Sequence, residues 1–74
     1  MTIKEAEYKI GVLTTTASVD DSISRLVRRI YNSDDDIYYK VLKTLNQRFD
    51  WFNIKPGAEI KYLPLNAISK ISEV

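Results

Sequence analysis

The chain lacks the residue types on which many enzymes and most zinc proteins depend. Its 74 residues include no cysteine and no histidine. Without cysteine there is no thiolate nucleophile and no disulfide, and without both residues nearly every zinc site is excluded. Imidazole acid–base chemistry is excluded for the same reason. Thiol chemistry, most zinc sites and cysteine- or histidine-based catalysis are therefore not expected.

The chain also carries almost no excess charge of either sign. Eleven Lys and Arg residues balance ten Asp and Glu residues, which leaves a formal net charge of +1. Phosphate-binding modules usually show a clear basic excess. A set of basic residues could still line two helices: Arg28, Arg29, Lys40, Lys43 and Arg48. The overall balance nevertheless predicts that the protein does not bind nucleic acid.

Long apolar runs are missing as well. No stretch approaches the roughly 20 apolar residues of a membrane span, and residues 1–10 carry charges where a secretory signal needs an apolar segment. We therefore expect no membrane span, and a protein that is made and folded in cytoplasm. The length is that of one small domain, spanning 1–74.

Two amphipathic helices are predicted in the middle of the chain. Apolar residues recur at helical spacing over about 21–31 and again over about 35–46, forming a stripe along one face of each helix. Asp20 or Asp21 would cap the first helix, and Asn32, which tolerates a left-handed backbone, would end it. The short connection between the two predicts a tight αα-hairpin.

A strand is predicted on either side of this helix pair. Alternating and β-branched residues indicate the first strand somewhere within about 7–16, and alternation indicates the second over 59–63. A type II turn at Pro56-Gly57 would lead into the second strand, and Pro64 would end it.

The predicted order of elements is therefore β-α-α-β. Two strands need a cover of helices to form a stable sheet, so the fold class is α+β, with two helices packed on a two-stranded antiparallel sheet. The body would span about 8–64. Residues 1–7 and 65–74 would be arms, mobile or bound to a partner, although the alternating apolar residues of 65–74 also allow a strand or a helical turn.

Four segments in this order resemble the LysM fold. Asp20-Asp21-Ser22-Ile23 stands where LysM modules have Gly-Asp-Thr-Leu, and Arg29-Ile30-Tyr31-Asn32 is similar to the Arg-Tyr-Tyr-Gly of phage-type modules. Leu45-Asn46 resembles the usual end of the second helix. The segment 54–60, followed by Pro64, resembles the closing Ile/Leu-x-Pro-Gly-x-x-Ile/Leu strand. The departures are Val19 and Asn32, which stand where the pattern has glycine.

A stand-alone LysM-like chain of this length is similar to the small tail protein X family of contractile-tailed phages. This resemblance implies a structural protein of the virion, located in the tail baseplate and assembled in host cytoplasm. It implies partners among the other tail and baseplate proteins, such as hub, tube or wedge, which an adaptor would join. The alternative is a module that binds peptidoglycan or chitin, as secreted LysM repeats do.

The resemblance also implies where a binding site would lie. In sugar-binding LysM modules the groove lies between the loop after the first strand and the loop before the second. The corresponding residues here are Val19, Asp20, Asp21, Ser22, Trp51, Phe52, Asn53, Ile54 and Lys55. The same residues could instead form a protein interface.

Aromatic residues near this site admit two interpretations. They could be a platform on which sugar rings stack, or they could be divided between closure of the core and a protein interface, where aromatics are enriched. We favour the second interpretation. The residues concerned are Tyr38, Tyr39, Phe49, Trp51, Phe52 and Tyr62.

No catalytic or metal site is predicted. The acidic run 34–36 does not continue as a calcium-binding loop, because Tyr39 and Leu45 occupy the positions that require Gly and Glu. We interpret these acids as the N-terminus of the second helix, where they interact favourably with the helix dipole. No nucleophile is paired with a base. The sequence predicts a protein that is not an enzyme and needs no cofactor.

Overall fold

The computed structural model describes residues 1–72, and within them six short elements follow one another. Their bounds are α1 (Ile3–Lys9), β1 (Leu13–Thr16), α2 (Ile23–Tyr31), α3 (Asp36–Leu45), β2 (Glu59–Tyr62) and α4 (Leu65–Ile68). None of the helices in this described part is long and apolar enough to cross a membrane.

The two strands form an antiparallel sheet that is covered by helices. Leu13 lies opposite Tyr62, and Thr16 lies opposite Glu59. The core joins α2, α3 and β2 with the segments that flank them, and its largest fully buried side chains are Leu26, Leu42, Ile60, Leu63, Val27 and Val41. The predicted α+β class, with two helices packed on a two-stranded antiparallel sheet, is confirmed.

The element order departs from the prediction at both ends. A helix precedes the first strand and another follows the second, so the residues expected to be arms contribute to the core. Ile3 and Ala6 of α1 are buried, as are Ala67 and Ile68 of α4. Residues 73–74, the end of the second predicted arm, lie outside the described residues.

A capping box explains why the first residues are helical. The Glu5 N–H donates to the Thr2 hydroxyl (3.1 Å), and the Thr2 N–H donates to the Glu5 carboxylate (3.2 Å). Each side chain satisfies a backbone donor that the start of a helix leaves unpaired. Gly11, with φ 94°, follows the helix. The first strand therefore begins only at Leu13, later than the alternation from Tyr8 suggested.

The first residue also contacts the far end of the chain. The Met1 ammonium donates to the Lys70 carbonyl (2.9 Å) and to the Ser72 hydroxyl (3.1 Å). The Ser72 N–H donates to the Met1 carbonyl at 3.0 Å. These bonds hold Met1 against 70–72, beside the packed helices α1 and α4.

The ends of α2 confirm one predicted cap and correct another. Asn32 ends the helix in the left-handed conformation, with φ 55°. The N-cap is Ser22, whose hydroxyl accepts from the Arg25 N–H at 3.2 Å, so the prediction of Asp20 or Asp21 was wrong. Asp20 itself has a positive φ of 65°, and the Asp21 carboxylate is engaged elsewhere.

Candidate functional site

The predicted site residues lie on two loops, 17–22 after β1 and 46–58 before β2. The sheet register brings both loops to the same end of the molecule. At their bases the Ala17 N–H donates to the Ala58 carbonyl (2.8 Å), and the Gly57 N–H donates to the Ala17 carbonyl (2.8 Å). The two loops are therefore joined where they leave the sheet.

The first loop is a tight turn with Val19 at its tip. The Ser18 N–H donates to the Asp21 carboxylate at 2.7 Å, and the Asp21 N–H donates back to the Ser18 carbonyl at 3.2 Å. Between these bonds Asp20 adopts a left-handed φ of 65°, which aspartate tolerates better than most residues. Val19 is left 69% exposed, although nothing in the turn itself requires an apolar residue there.

Asp21 is committed to the fold rather than to a ligand. Its side chain is only 6% exposed and accepts from the Arg29 guanidinium at 2.9 Å. The same guanidinium donates to the Thr16 carbonyl at 3.0 Å, so one ion pair ties α2, the loop and β1 together. Burial raises the pKa of Asp21, but the Ser18 N–H and Arg29 outweigh it, and the pKa lies below the ordinary aspartate value.

The second loop presents Phe52 on a turn of its own. The Phe52 N–H donates to the Asp50 carboxylate at 3.0 Å, and the Asn53 N–H donates to the Asp50 carbonyl at 3.2 Å. An aspartate that accepts a backbone N–H two residues later is a recurrent turn-forming device. The Phe52 side chain is fully exposed, at 102% of its reference area.

The neighbours of Phe52 in this loop face the protein instead. Trp51 and Ile54 are partly buried and pack against the core, as does Phe49. The Phe49 and Trp51 rings lie 4.7 Å apart between centroids, tilted by 57°. The turn at Lys55 closes the loop: the Ala58 N–H donates to the Lys55 carbonyl at 3.1 Å, and Gly57 has the positive φ (87°) of the predicted turn.

The structure thus divides the predicted site residues into two groups. Asp21, Ser22, Trp51 and Ile54 are held by internal contacts. The remaining residues are exposed on the two loops, and we call them the loop-tip surface: Val19, Asp20, Phe52, Asn53 and Lys55.

The tyrosine rings that were candidates for sugar stacking are partly buried and pack against the core. Tyr38 stacks on Tyr31 with centroids 4.5 Å apart, and Tyr62 meets Tyr31 edge-on at 6.3 Å. The Tyr39 hydroxyl lies 3.1 Å from the Ser24 hydroxyl. The buried Tyr31 hydroxyl donates to the Leu63 carbonyl at 2.8 Å, and burial raises its pKa.

Two surface grooves lie away from the loop-tip surface, and none of the predicted site residues lines either of them. The larger, of about 540 Å³, lies where α1 meets the end of α3 and β2. Its lining residues are Lys4, Glu7, Thr44, Leu45, Asn46, Gln47, Arg48, Phe49 and Lys61. The prediction missed it because residues 1–7 were not expected to be helical, although the Thr2-x-x-Glu5 spacing is a capping-box signal.

The acidic run occupies the position expected of a helix N-terminus. Asp35 is the N-cap residue of α3, Asp36 lies in its first turn, and Asp34 pairs with Arg28 at 3.5 Å. Over residues 1–72 no group of three or more carboxylates is arranged to hold a metal ion.

No protein-family model, curated protein or solved structure matches the chain. The residues and geometry described above are therefore the grounds for proposing a function.

Proposed function

We propose that the protein is a LysM-like adaptor of a phage tail or contractile injection baseplate that docks on another structural protein through its loop-tip surface. The observation that carries this proposal is the full exposure of Phe52 on a turn fixed by Asp50. An exposed aromatic ring is a strong contributor to protein interfaces once it enters a partner's pocket. A turn that is already ordered loses little conformational freedom on binding.

Val19 strengthens this interpretation. It is a second exposed apolar side chain on a hydrogen-bonded turn, and its loop is joined to the Phe52 loop at the base. Two apolar tips flanked by the polar Asp20, Asn53 and Lys55 have the composition of a small interface, with an apolar centre and a polar rim.

The LysM-like part of the proposal rests on the sequence resemblance and on the conformation of three of its landmarks. Ser22 begins α2, Asn32 ends it with a left-handed backbone, and Pro56-Gly57 forms the turn that leads to β2. In this proposal the protein is a virion component of the tail baseplate, assembled in host cytoplasm. Its partners are hub, tube or wedge proteins.

Recognition of a cell-wall polymer is the second candidate. Asp20, Asn53 and Lys55 offer hydroxyl-pairing groups on the same loops as the exposed Phe52 ring. Against it, the rings of Tyr38 and Trp51 that a sugar platform would use are partly buried and pack against the protein. The adaptor proposal therefore explains the exposed residues better, since it accounts for Val19 as well as for Phe52.

The adaptor proposal is tested by incorporation into particles. Tail or injection particles are purified from cells that produce them with wild-type, Phe52→Ala or Tyr8→Ala protein, and quantified by mass spectrometry. We expect stoichiometric wild type and Tyr8→Ala, and Phe52→Ala depleted by at least about tenfold. Tyr8 is the matched control because its ring is also exposed (89%) but lies on α1. Absence of the wild-type protein from particles, or normal incorporation of Phe52→Ala, contradicts the proposal.

The cell-wall candidate is tested by titrating peptidoglycan and chitin oligomers into isotope-labelled protein. The adaptor proposal predicts no saturable shifts in 19–22 and 51–55. Saturation at submillimolar sugar, centred on those residues and lost in Phe52→Ala, would favour wall recognition instead.

A further inference from the structure

Side chains cover the outer edge of β2 from Lys61 onward. The Asn46 amide donates to the Lys61 carbonyl (2.9 Å) and its oxygen accepts from the Lys61 N–H (3.0 Å), as a neighbouring strand would. One residue beyond β2, the Tyr31 hydroxyl contacts both the N–H and the carbonyl of Leu63, at 3.2 and 2.8 Å. These peptide groups are therefore not free to pair with another chain.

The outer edge of β1 is closed only at one end. Backbone groups of an antiparallel strand point alternately toward and away from the partner strand. Since Ala17 bonds to Ala58, alternation directs the peptide groups of Thr14 and Thr16 away from β2. The Thr16 carbonyl accepts from Arg29 at 3.0 Å, whereas no hydrogen bond within residues 1–72 occupies the outward peptide groups of Thr14.

The open stretch is short and has definite limits. It ends at Thr16, where Arg29 covers the edge, and at Gly11, whose φ of 94° turns the chain out of the extended conformation. Residues 12–15 lie between these limits, and we call the first three of them, Val12, Leu13 and Thr14, the edge window. Leu13, at its centre, is 48% exposed.

The edge window also lacks the usual protection against pairing. Natural edge strands are commonly guarded by charged residues or proline. Residues 10–17 contain neither, and the whole chain has a net charge of only +1. Two copies can therefore approach through residues 10–17 without placing charged side chains of this segment opposite each other.

We propose that the edge window pairs with the same window of a second copy of this chain, antiparallel and about a two-fold axis at Leu13. In this register Val12 of one copy and Thr14 of the other exchange both backbone hydrogen bonds, and the two Leu13 side chains face each other across the axis. The two-stranded sheet becomes one of four strands, β2-β1-β1-β2, which is more favourable than a two-stranded one.

The second copy fits this window because it presents the same short, uncharged edge. A contact about a two-fold axis needs a self-complementary patch. The edge window is self-complementary because an antiparallel pairing centred on Leu13 places Val12 of each copy opposite Thr14 of the other. A register shifted toward Thr16 would place the second strand against Arg29. The proposal is independent of the loop-tip surface, which lies at the other end of β1.

The first test removes the outward N–H of Thr14, which the proposed pairing uses next to the axis. Thr14→Pro deletes that donor, and proline is tolerated at an edge position whose N–H faces solvent. Thr14→Val retains the N–H and the β-branched shape, and is the matched control. By sedimentation equilibrium up to about 1 mM protein, we expect wild type and Thr14→Val to dimerise, and Thr14→Pro to weaken the dimer by at least about tenfold.

A second variant keeps the test decisive if Thr14→Pro fails to fold. Leu13→Lys places like charges opposite each other at the axis and should weaken the dimer as strongly, whereas Gln47→Lys, with the same charge change at another exposed site, should not. Hydrogen exchange of the Thr14 amide should slow as the protein concentration rises. The proposal is overturned if wild type remains monomeric, if the dimer survives both Thr14→Pro and Leu13→Lys, or if the Thr14 amide exchanges equally fast in the dimer.

Discussion

At the scale of single residues, the ion pair between Asp21 and Arg29 determines how the first loop is shaped. The Asp21 side chain is nearly buried, whereas that of Arg29 is 41% exposed. The pair also brings a donor to the Thr16 carbonyl. Replacing the Asp21 carboxylate by an amide would keep an oxygen that can accept from Arg29 and the Ser18 N–H but would remove the negative charge that strengthens both bonds, and hydrogen bonds to charged groups contribute more than neutral ones.

We expect Asp21→Asn to lower the free energy of unfolding at neutral pH by about 1–3 kcal/mol. The pH dependence should change as well. The folded pKa of Asp21 is below its ordinary value of 3.8, so its contribution is present above that pH and is lost as the pH falls through the folded pKa. Urea unfolding from pH 7 to about pH 2 should show a shallower acid decline for Asp21→Asn. Parallel curves for the two proteins would contradict this expectation.

Asn32 provides a second residue-scale prediction, on backbone conformation. Its φ of 55° is readily adopted by glycine and is strained for a β-branched residue. We expect Asn32→Gly to be neutral or stabilising and Asn32→Val to lower the free energy of unfolding by roughly 1–2 kcal/mol. Thermal unfolding of both variants measures this directly, and equal melting temperatures would be incompatible with a left-handed residue at the end of α2.

At the scale of elements, α2 and α3 were predictable because nine and ten residues show the helical period more than twice. The seven residues of α1 and four of α4 are too short for that signal. Tyr8 and Ile10 instead suggested alternation, although the capping box at Thr2 indicated a helix. Exposure of the site was not predictable for a different reason: the turn at Asp50 decides that Phe52 points outward while Trp51 packs inward.

Because α1 is a packed helix, substitutions in it should change the free energy of unfolding according to burial, whereas substitutions in an unfolded arm would not. Ile3 is 3% exposed and belongs to the core, whereas Tyr8 in the same helix is exposed. We expect Ile3→Ala to lower the free energy of unfolding by about 2–4 kcal/mol, the usual cost of truncating a buried aliphatic side chain. Tyr8→Ala should change it by less than about 0.5 kcal/mol. Denaturant titration of the two variants checks the difference, and equal stability would mean that α1 does not pack.

At the scale of the whole molecule, the helices at both ends of the chain are needed to complete the core. A chain of 74 residues can bury only a small core, so each buried side chain at its ends contributes to stability. Ile3 and Ala6 approach it from one end of the sequence, and Ala67 and Ile68 from the other. The end segments are also hydrogen-bonded to each other, through Met1 and Ser72. The segment 8–64 is therefore only part of a folding unit.

This organisation predicts that a fragment consisting of residues 8–64 does not fold cooperatively. Without α1 and α4, the apolar surface that Ile3 and Ile68 cover would be open to water, and a core this small has little stability to spare. Circular dichroism of the fragment should show a broad, weak thermal transition or none. A transition as sharp as that of the full chain, at a similar midpoint, would refute the prediction.

Trp51 is the only tryptophan of the chain, and its position makes it an intrinsic fluorescent reporter. The indole lies one residue before the exposed Phe52, and it is partly buried against Phe49 and the core. Its emission should therefore respond when a partner covers the loop, while the helices remain unchanged in circular dichroism. Association of two copies through β1 should leave that emission unaltered. One unlabelled sample can thus distinguish an event at the loops from an event at the sheet edge.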